Sequence, residues 1–319
     1  MTHLLKTTAL AITAVVALQG APLMAQDFPE RPLEFVAGYG PGGGHDTMLR
    51  AMAKVMQEQE IVEVPINVVN KPGGSSAVAM GYLNGRKGDG HYVMSITSSH
   101  ITTPLSSNIG LDYRDFTPIA RLGIDPELLV VNAGGPYNSL DDLLQADKVL
   151  NVGGTSTGGI EHIVAIQFQK KTGKEINFVP FQGDGEVVAA LLSNQLDFVV
   201  TNPGAARDFI ESGKFKAFAI STEERIAAFP DIPTFREQGI DITLSIYRGV
   251  TAPADISEEA KAYLIAKMTE LNESEAWKTG YLEPNSVVEG FLTGEDFEAY
   301  LAKTEKVYRE TLTELGIID

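Results

Sequence analysis

The stretch from Gly38 to Arg50, Gly-Tyr-Gly-Pro-Gly-Gly-Gly-His-Asp-Thr-Met-Leu-Arg, constrains this chain more than any other. An apolar run ahead of it, Leu33 to Ala37, predicts a buried strand. Behind it Met48, Leu49, Met52, Val55 and Met56 recur at helical spacing. A strand, a glycine-rich turn and a helix start together form an anion cradle. Glycine lets backbone approach a ligand closely, and the first helical turn offers unpaired N–H groups at the positive end of the dipole.

The same rhythm recurs. Ile66–Asn70 reads as a strand leading into Lys71-Pro72-Gly73-Gly74-Ser75-Ser76 and a short helix, Ala77 to Leu83. Tyr92–Ile96 reads as a strand that runs into Thr97-Ser98-Ser99-His100. After Asp125-Pro126 the pattern restarts with Leu128–Val131. Val152 then leads to Gly153-Gly154-Thr155-Ser156-Thr157-Gly158-Gly159 and a helix with Ile160, Ile163, Val164 and Phe168 on one face. Asn177–Pro180, Leu196–Val200 and Lys216–Ile220 follow as strands. Leu244–Val250 reads as extended, and two amphipathic helices, about 257–272 and 295–315, close the chain.

Strands alternating with helices predict an α/β fold of mostly parallel sheets flanked by helices. At 319 residues the chain is expected to form two lobes. The second is read as inserted in the first, with crossings near Leu122–Leu128 and Leu244–Val250. The expected boundaries are 26–124 with 248–319 for the first lobe and 125–247 for the second. Ligands of such sheets sit beyond the carboxyl ends of the strands, and here those loops are rich in Gly, Ser, Thr and Asn. That is a binding vocabulary rather than a catalytic one.

Charge narrows the partners. Twenty-five Lys+Arg stand against 42 Asp+Glu, a net charge of −17, and no basic cluster appears, which argues against nucleic acid. An anionic ligand must therefore be held by local donors against an unfavourable field. With no cysteine, thiol catalysis, disulfides and thiolate metal sites are excluded. Residues 1–25 read as a removable export signal: Lys6 supplies its charge, Ala9 to Leu18 its apolar run, and Ala25 precedes the cut. The mature protein is expected to be soluble, exported and monomeric.

Gly38, Gly40 and Gly43 fit the dinucleotide fingerprint, but Asn70 stands where its acidic residue should, and Pro41 removes an N–H from the cradle. A small carboxylate suits the loop better. His45 and His162 each start a helix after a glycine loop, where they either donate to a carboxylate or cap and pack. Asp46 is either a structural cap or a ligand contact through water. Arg248, at the second crossing, either forks a ligand carboxylate or makes an ion pair. Tyr39 and Phe181 are candidate cleft walls. An exported acid/base enzyme using His45 and Asp46 is the rival from another class, but adjacent residues on a helix diverge.

Together these residues resemble the periplasmic solute-binding receptors of tripartite tricarboxylate transporters, the Bug (Bordetella uptake gene) family. The resemblance rests on Pro41-Gly42-Gly43-Gly44-His45-Asp46 with Arg50, where the family usually has Thr at the His45 position. It continues in Asn70-Lys71-Pro72-Gly73-Gly74, in Gly154 to Gly159 with His162, and in Val179-Pro180-Phe181-Gln182-Gly183. Gly213–Ala217 and Asp231-Ile232-Pro233-Thr234 with Glu237-Gln238-Gly239 complete it. It implies a two-domain Venus-flytrap protein with no catalytic activity and no cofactor, binding an organic carboxylate, di- or tricarboxylate favoured, between its lobes. Tyr39 to Asp46 (with Gly42, Gly43 and Gly44) and Thr97, Ser98 and Ser99 would line one side. Thr155, Ser156, Thr157, Gly158, Gly159, His162, Phe181, Gln182, Thr201 and Asn202 would line the other. Tyr247-Arg248-Gly249 is similar to a Trp-Arg-Gly of some members and suggests a second ligand carboxylate. The implied partners are the large and small subunits of a membrane transporter; the alternative is a membrane sensor kinase.

Overall fold

A computed structural model describes residues 28–154, 157–181, 184–314 and 316–319. The export signal read at residues 1–25 lies outside them, as do Thr155, Ser156 and Gln182. Among the described residues, the strands β1 (Leu33–Ala37), β2 (Ile66–Asn70), β3 (Tyr92–Ile96) and β4 (Phe116–Asp125) come first. β5 (Leu128–Asn132), β6 (Leu150–Gly154), β7 (Ile176–Pro180), β8 (Phe198–Thr201) and β9 (Phe215–Ile220) fill the middle, and β10 (Ile246–Pro253) and β11 (Leu292–Thr293) close. They build two sheets, ordered β11-β4-β10-β3-β1-β2 and β7-β6-β8-β5-β9. The first sheet draws on both ends of the chain and the second on its middle.

Both sheets are mixed, for a topological reason. β1 is parallel to β2 and β3, and β6 to β7 and β8. β10 is antiparallel to β3 and β4, and β5 to β8 and β9. β4 leaves the first sheet at Asp125 and β5 starts at Leu128, so β5 enters the second sheet from the end at which β8 finishes. β10 likewise starts beside the end of β4, with Ile246 opposite Asp125. The two crossings thus lie side by side, at the carboxyl ends of the parallel strands.

Helices cover the sheets: α1 (Gly44–Glu58), α2 (Ala77–Asn84), α3 (Ser99–Ser106), α4 (Leu140–Gln145), α5 (Ile160–Thr172), α6 (Asp184–Leu192), α7 (Pro203–Glu211), α8 (Glu258–Glu273) and a final helix, Gly294–Glu314. α1 buries Met48, Leu49, Met52, Val55 and Met56, the stripe that its sequence period marks. The Ser257 hydroxyl caps α8 by accepting from the Ala260 N–H at 3.1 Å. One apolar cluster takes residues from both sheets, among them Met94 and Ile96, Tyr247, and Val131, Val152 and Phe198.

β4 was not legible as a strand, since Pro118 and Arg121 interrupt its apolar pattern. The fold tolerates Pro118 because β11 pairs only with Ala120 and Arg121. At Pro118 the strand has β10 on one side and no ladder on the other, so the missing N–H need break none.

Candidate functional site

The glycines that end two loops, one from each sheet, share one geometry. After β1, Gly42 adopts φ +81° and Gly43 is extended at φ −75°, ψ 166°, immediately before α1. After β6, Gly158 adopts φ +78° and Gly159 is extended at φ −74°, ψ 175°, immediately before α5. In each loop the left-handed glycine gives its N–H to a side chain four residues on. Gly42 donates to Asp46 Oδ2 at 2.9 Å, and Gly158 to His162 Nδ1 at 3.0 Å. The bond folds each loop back over its helix start. Neither helix has a side-chain cap, so both first turns keep N–H donors for something else.

Asp46 and His162 are therefore clasps of their loops. Asp46 also accepts from Arg50 Nε at 2.9 Å and from the Asn70 amide at 2.9 Å, and that amide also reaches the Tyr39 carbonyl at 2.9 Å. The Arg50 hydrogen bond, with help from Gly42 and Asn70, holds the carboxyl down at about 2. Asn70, which excluded a dinucleotide from the sequence, is here the residue that seals the loop. His162 stacks on Phe178 with centroids 4.2 Å apart, and burial lowers its pKa, so Nδ1 accepts as a neutral imidazole.

His45 turns the opposite way from Asp46, as adjacent helical residues must. It is 5% exposed, with Nδ1 2.8 Å from Ser95 Oγ and Nε2 3.2 Å from Thr97 Oγ1. Both ring nitrogens are committed to hydroxyls within the first lobe, so of the two readings open to His45 these bonds serve packing. The divergence also leaves no His45–Asp46 acid/base pair. Thr97 is held in turn by Ser99 at 3.3 Å. Burial raises the pKa of the Tyr39 phenol, which has Ser99 and Ser75 beside it and Glu161 of α5 near enough to add to the rise.

Arg248 forms the floor. Its Nε donates to Asp125 Oδ2 at 3.0 Å and its Nη2 to the same oxygen. A Cβ on Gly44 would lie 2.6 Å from Arg248 Nη1, so glycine is needed there for the guanidinium to pass under the loop. Burial opposes the arginine's charge, but Asp125 holds its pKa above the ordinary value. Its Nε and Nη2 are thus already engaged by Asp125, the ion pair that was one of the two readings open to Arg248.

From the second lobe, Thr201 ends β8 and Asn202 precedes α7. The Asn202 amide spans to the crossing, donating to Pro126 O at 3.0 Å and Glu127 Oε1 at 3.0 Å. Thr157 is exposed and Gly158 buried. Phe181 is turned into its own lobe, against Gly153 and the second-lobe core, and does not form the cleft wall expected of it. Sequence reasoning passed over Asp125 and Glu127, which are 3% and 0% exposed. Their signal was available: two acids flanking a proline between apolar strands.

Truncating the first clasp tests its role. Asp46→Ala is expected to cost about 2 kcal/mol, because buried hydrogen bonds to a carboxylate are each worth roughly 1.5–3 kcal/mol while the exposed Arg50 half is screened. Urea denaturation reads it, and an unchanged midpoint would refute the clasp.

Residues 48–313 match the family model described as tripartite tricarboxylate transporter family receptor. Protein BugT of Bordetella pertussis is 29% identical over 286 residues, 86% of each chain. A ligand-free TctC solute-binding protein from Polaromonas superposes with a TM-score of 0.75 at 28% identity, covering 90% of this chain and 99% of that one. An adipate-bound R. palustris protein shares the fold with a TM-score of 0.82 at 24% identity, covering 92% and 99%.

Proposed function

The chain belongs to the tripartite tricarboxylate transporter receptor family, one of solute-binding receptors rather than enzymes, and from that premise we propose that it captures a di- or tricarboxylate between its lobes. The observation that carries this is the pair of matching glycines at the starts of two helices that have no side-chain cap, one in each lobe. Each loop offers backbone N–H groups to a carboxylate, and Ser98, Thr157 and Thr201 supply neutral donors. No side-chain cation need be spent, which suits an acidic chain whose cleft arginine is already paired.

In this reading the lobes are 26–124 with 248–319 and 125–247. They rotate about the paired crossings, closing when one ligand satisfies both helix starts. The receptor works in the periplasm and delivers its ligand to a membrane transporter of large and small subunits. Among the described residues no helix is long and apolar enough to cross a membrane.

The adipate-bound fold neighbour makes adipate a rational first probe. Isothermal titration with adipate, succinate, malate and citrate is expected to give saturable heat for at least one, with a matching rise in melting temperature. No heat and no thermal shift with any of them would overturn the proposal.

A further inference from the structure

Glu127 lies where the two lobes meet. It follows Asp125-Pro126 at the first crossing, and no part of it is exposed. Oε1 accepts from the Asn202 amide of the second lobe at 3.0 Å. Oε2 is buried and has no hydrogen-bond partner. The backbone around it is fixed by a two-way clasp with Ser221: Glu127 N–H donates to Ser221 Oγ at 2.8 Å, and Ser221 N–H donates to Glu127 O at 2.9 Å. A carboxyl held this firmly, with one oxygen satisfied and the other bare, is poised for a group that no described residue supplies.

The charges around Glu127 decide what that group is. Asp125 lies on its own segment, Glu161 reaches it from the start of α5, and Arg248 comes from β10. From the final helix Tyr308 is close enough to be affected by its charge, and the Tyr308 hydroxyl is likewise buried without a partner. Arg248 is the only cation in this set, and two of its donors already serve Asp125. Burial, then Glu161, then Asp125 push the Glu127 carboxyl well above its ordinary range. Asn202 donates to Oε1, which leaves Oε2 as the place for the proton.

We propose that Glu127 Oε2–H is a ligand-binding donor at the cleft floor, and that closing over a carboxylate takes up one proton at this residue. The inference rests on the carboxylate-receptor reading above. In the open form water reaches Glu127 and its proton leaves to solvent. In the closed form the carboxyl is neutral, and its O–H points at an oxygen of the bound anion. A proton thereby stands in for the cation that the site lacks.

The test is titration of adipate and malate in buffers of different ionisation enthalpy, from about pH 6.5 to about pH 8, where both ligands are ionised. Wild type is expected to take up as much as one proton per ligand, with affinity falling by up to about tenfold per pH unit. Glu127→Gln keeps a donor but cannot ionise, and is expected to show no uptake and a flat pH profile, whatever its affinity. No uptake by wild type, or equal uptake by both proteins, overturns the inference. If neither ligand binds, the receptor reading fails and the inference falls with it; binding without uptake overturns the inference alone. Should Glu127→Gln not fold, infrared spectra of wild type saturated with the ligand that binds serve instead: at neutral pH the carbonyl stretch of a buried protonated carboxyl is expected to appear on binding, and its absence overturns the assignment.

Discussion

Arg248→Met is expected to destabilise the protein by about 4 kcal/mol at pH 7, among the largest effects of any single substitution. The pair it breaks is buried, Asp125 being 3% exposed, and Asp125 Oδ1 already has no partner. Removing the guanidinium strands the other oxygen as well. A lone carboxylate in that position is neutralised rather than tolerated, which sets the size of the loss. Taking up a proton about three units above the ordinary carboxyl pKa costs about 4 kcal/mol at 1.4 kcal/mol per unit. The deficit should therefore shrink to about 1.5 kcal/mol near pH 5. Urea denaturation at the two pH values measures both figures. The double variant Arg248→Met, Asp125→Leu removes the stranded charge and is expected to recover most of the loss. A single variant within about 0.5 kcal/mol of wild type at pH 7 would show that the pair is not the bolt of the crossings.

This pair marks the limit of what the sequence reveals. The glycine loops were legible because conformation there is local. A left-handed position before a helix calls for glycine, and the stripes Met48–Met56 and Ile160–Phe168 announce the helices behind them. The alternation of strands and loops was legible for the same reason. What joins the loops to their supports was not, since those partners are far apart in sequence. Arg248 and Asp125 are separated by 123 positions, His45 and Thr97 by 52, and Asp46 and Asn70 by 24. Spacing can say that His45 starts a helix. It cannot say that β3 and the residue after it place two hydroxyls against its ring. For His45, Asp46 and Arg248 the sequence left a ligand contact and a structural role open, and only the distant partners show which supports each of them meets.

The protein is expected to lose about 6 kcal/mol of stability between pH 7 and pH 4, chiefly through His45 and His100. Burial lowers both from 6.5 to about 3, and for His45 the nearby Arg248 adds to the fall. The unfolded chain takes up protons on both rings below about pH 6.5, while the folded chain resists until about pH 3. Their stabilisation is therefore complete above 6.5 and drains as pH falls, by about 1.4 kcal/mol per unit and ring, or about 3 kcal/mol each at pH 4. Asp46, lowered from 3.8 to about 2, adds to the loss only below about pH 4. His100 has no partner on Nδ1 and packs against Phe116, so His100→Leu should flatten half of the slope. His45 is different. Ser95 Oγ lies 3.4 Å from the Val36 carbonyl and gives it its own hydrogen, so Nδ1–H donates to Ser95 and Nε2 accepts from Thr97. A neutral His45→Gln can imitate one of those bonds and should flatten the other half at some cost in stability at pH 7. Equal urea midpoints for wild type at pH 7 and pH 4.5 would refute the assignment. Glu127 is proposed to take up its proton only with ligand, between about pH 6.5 and about pH 8, and the histidines are silent above pH 6.5. The window in which the proton on Glu127 is measured is thus free of the larger acid transition, and the two effects can be separated in one protein by pH alone.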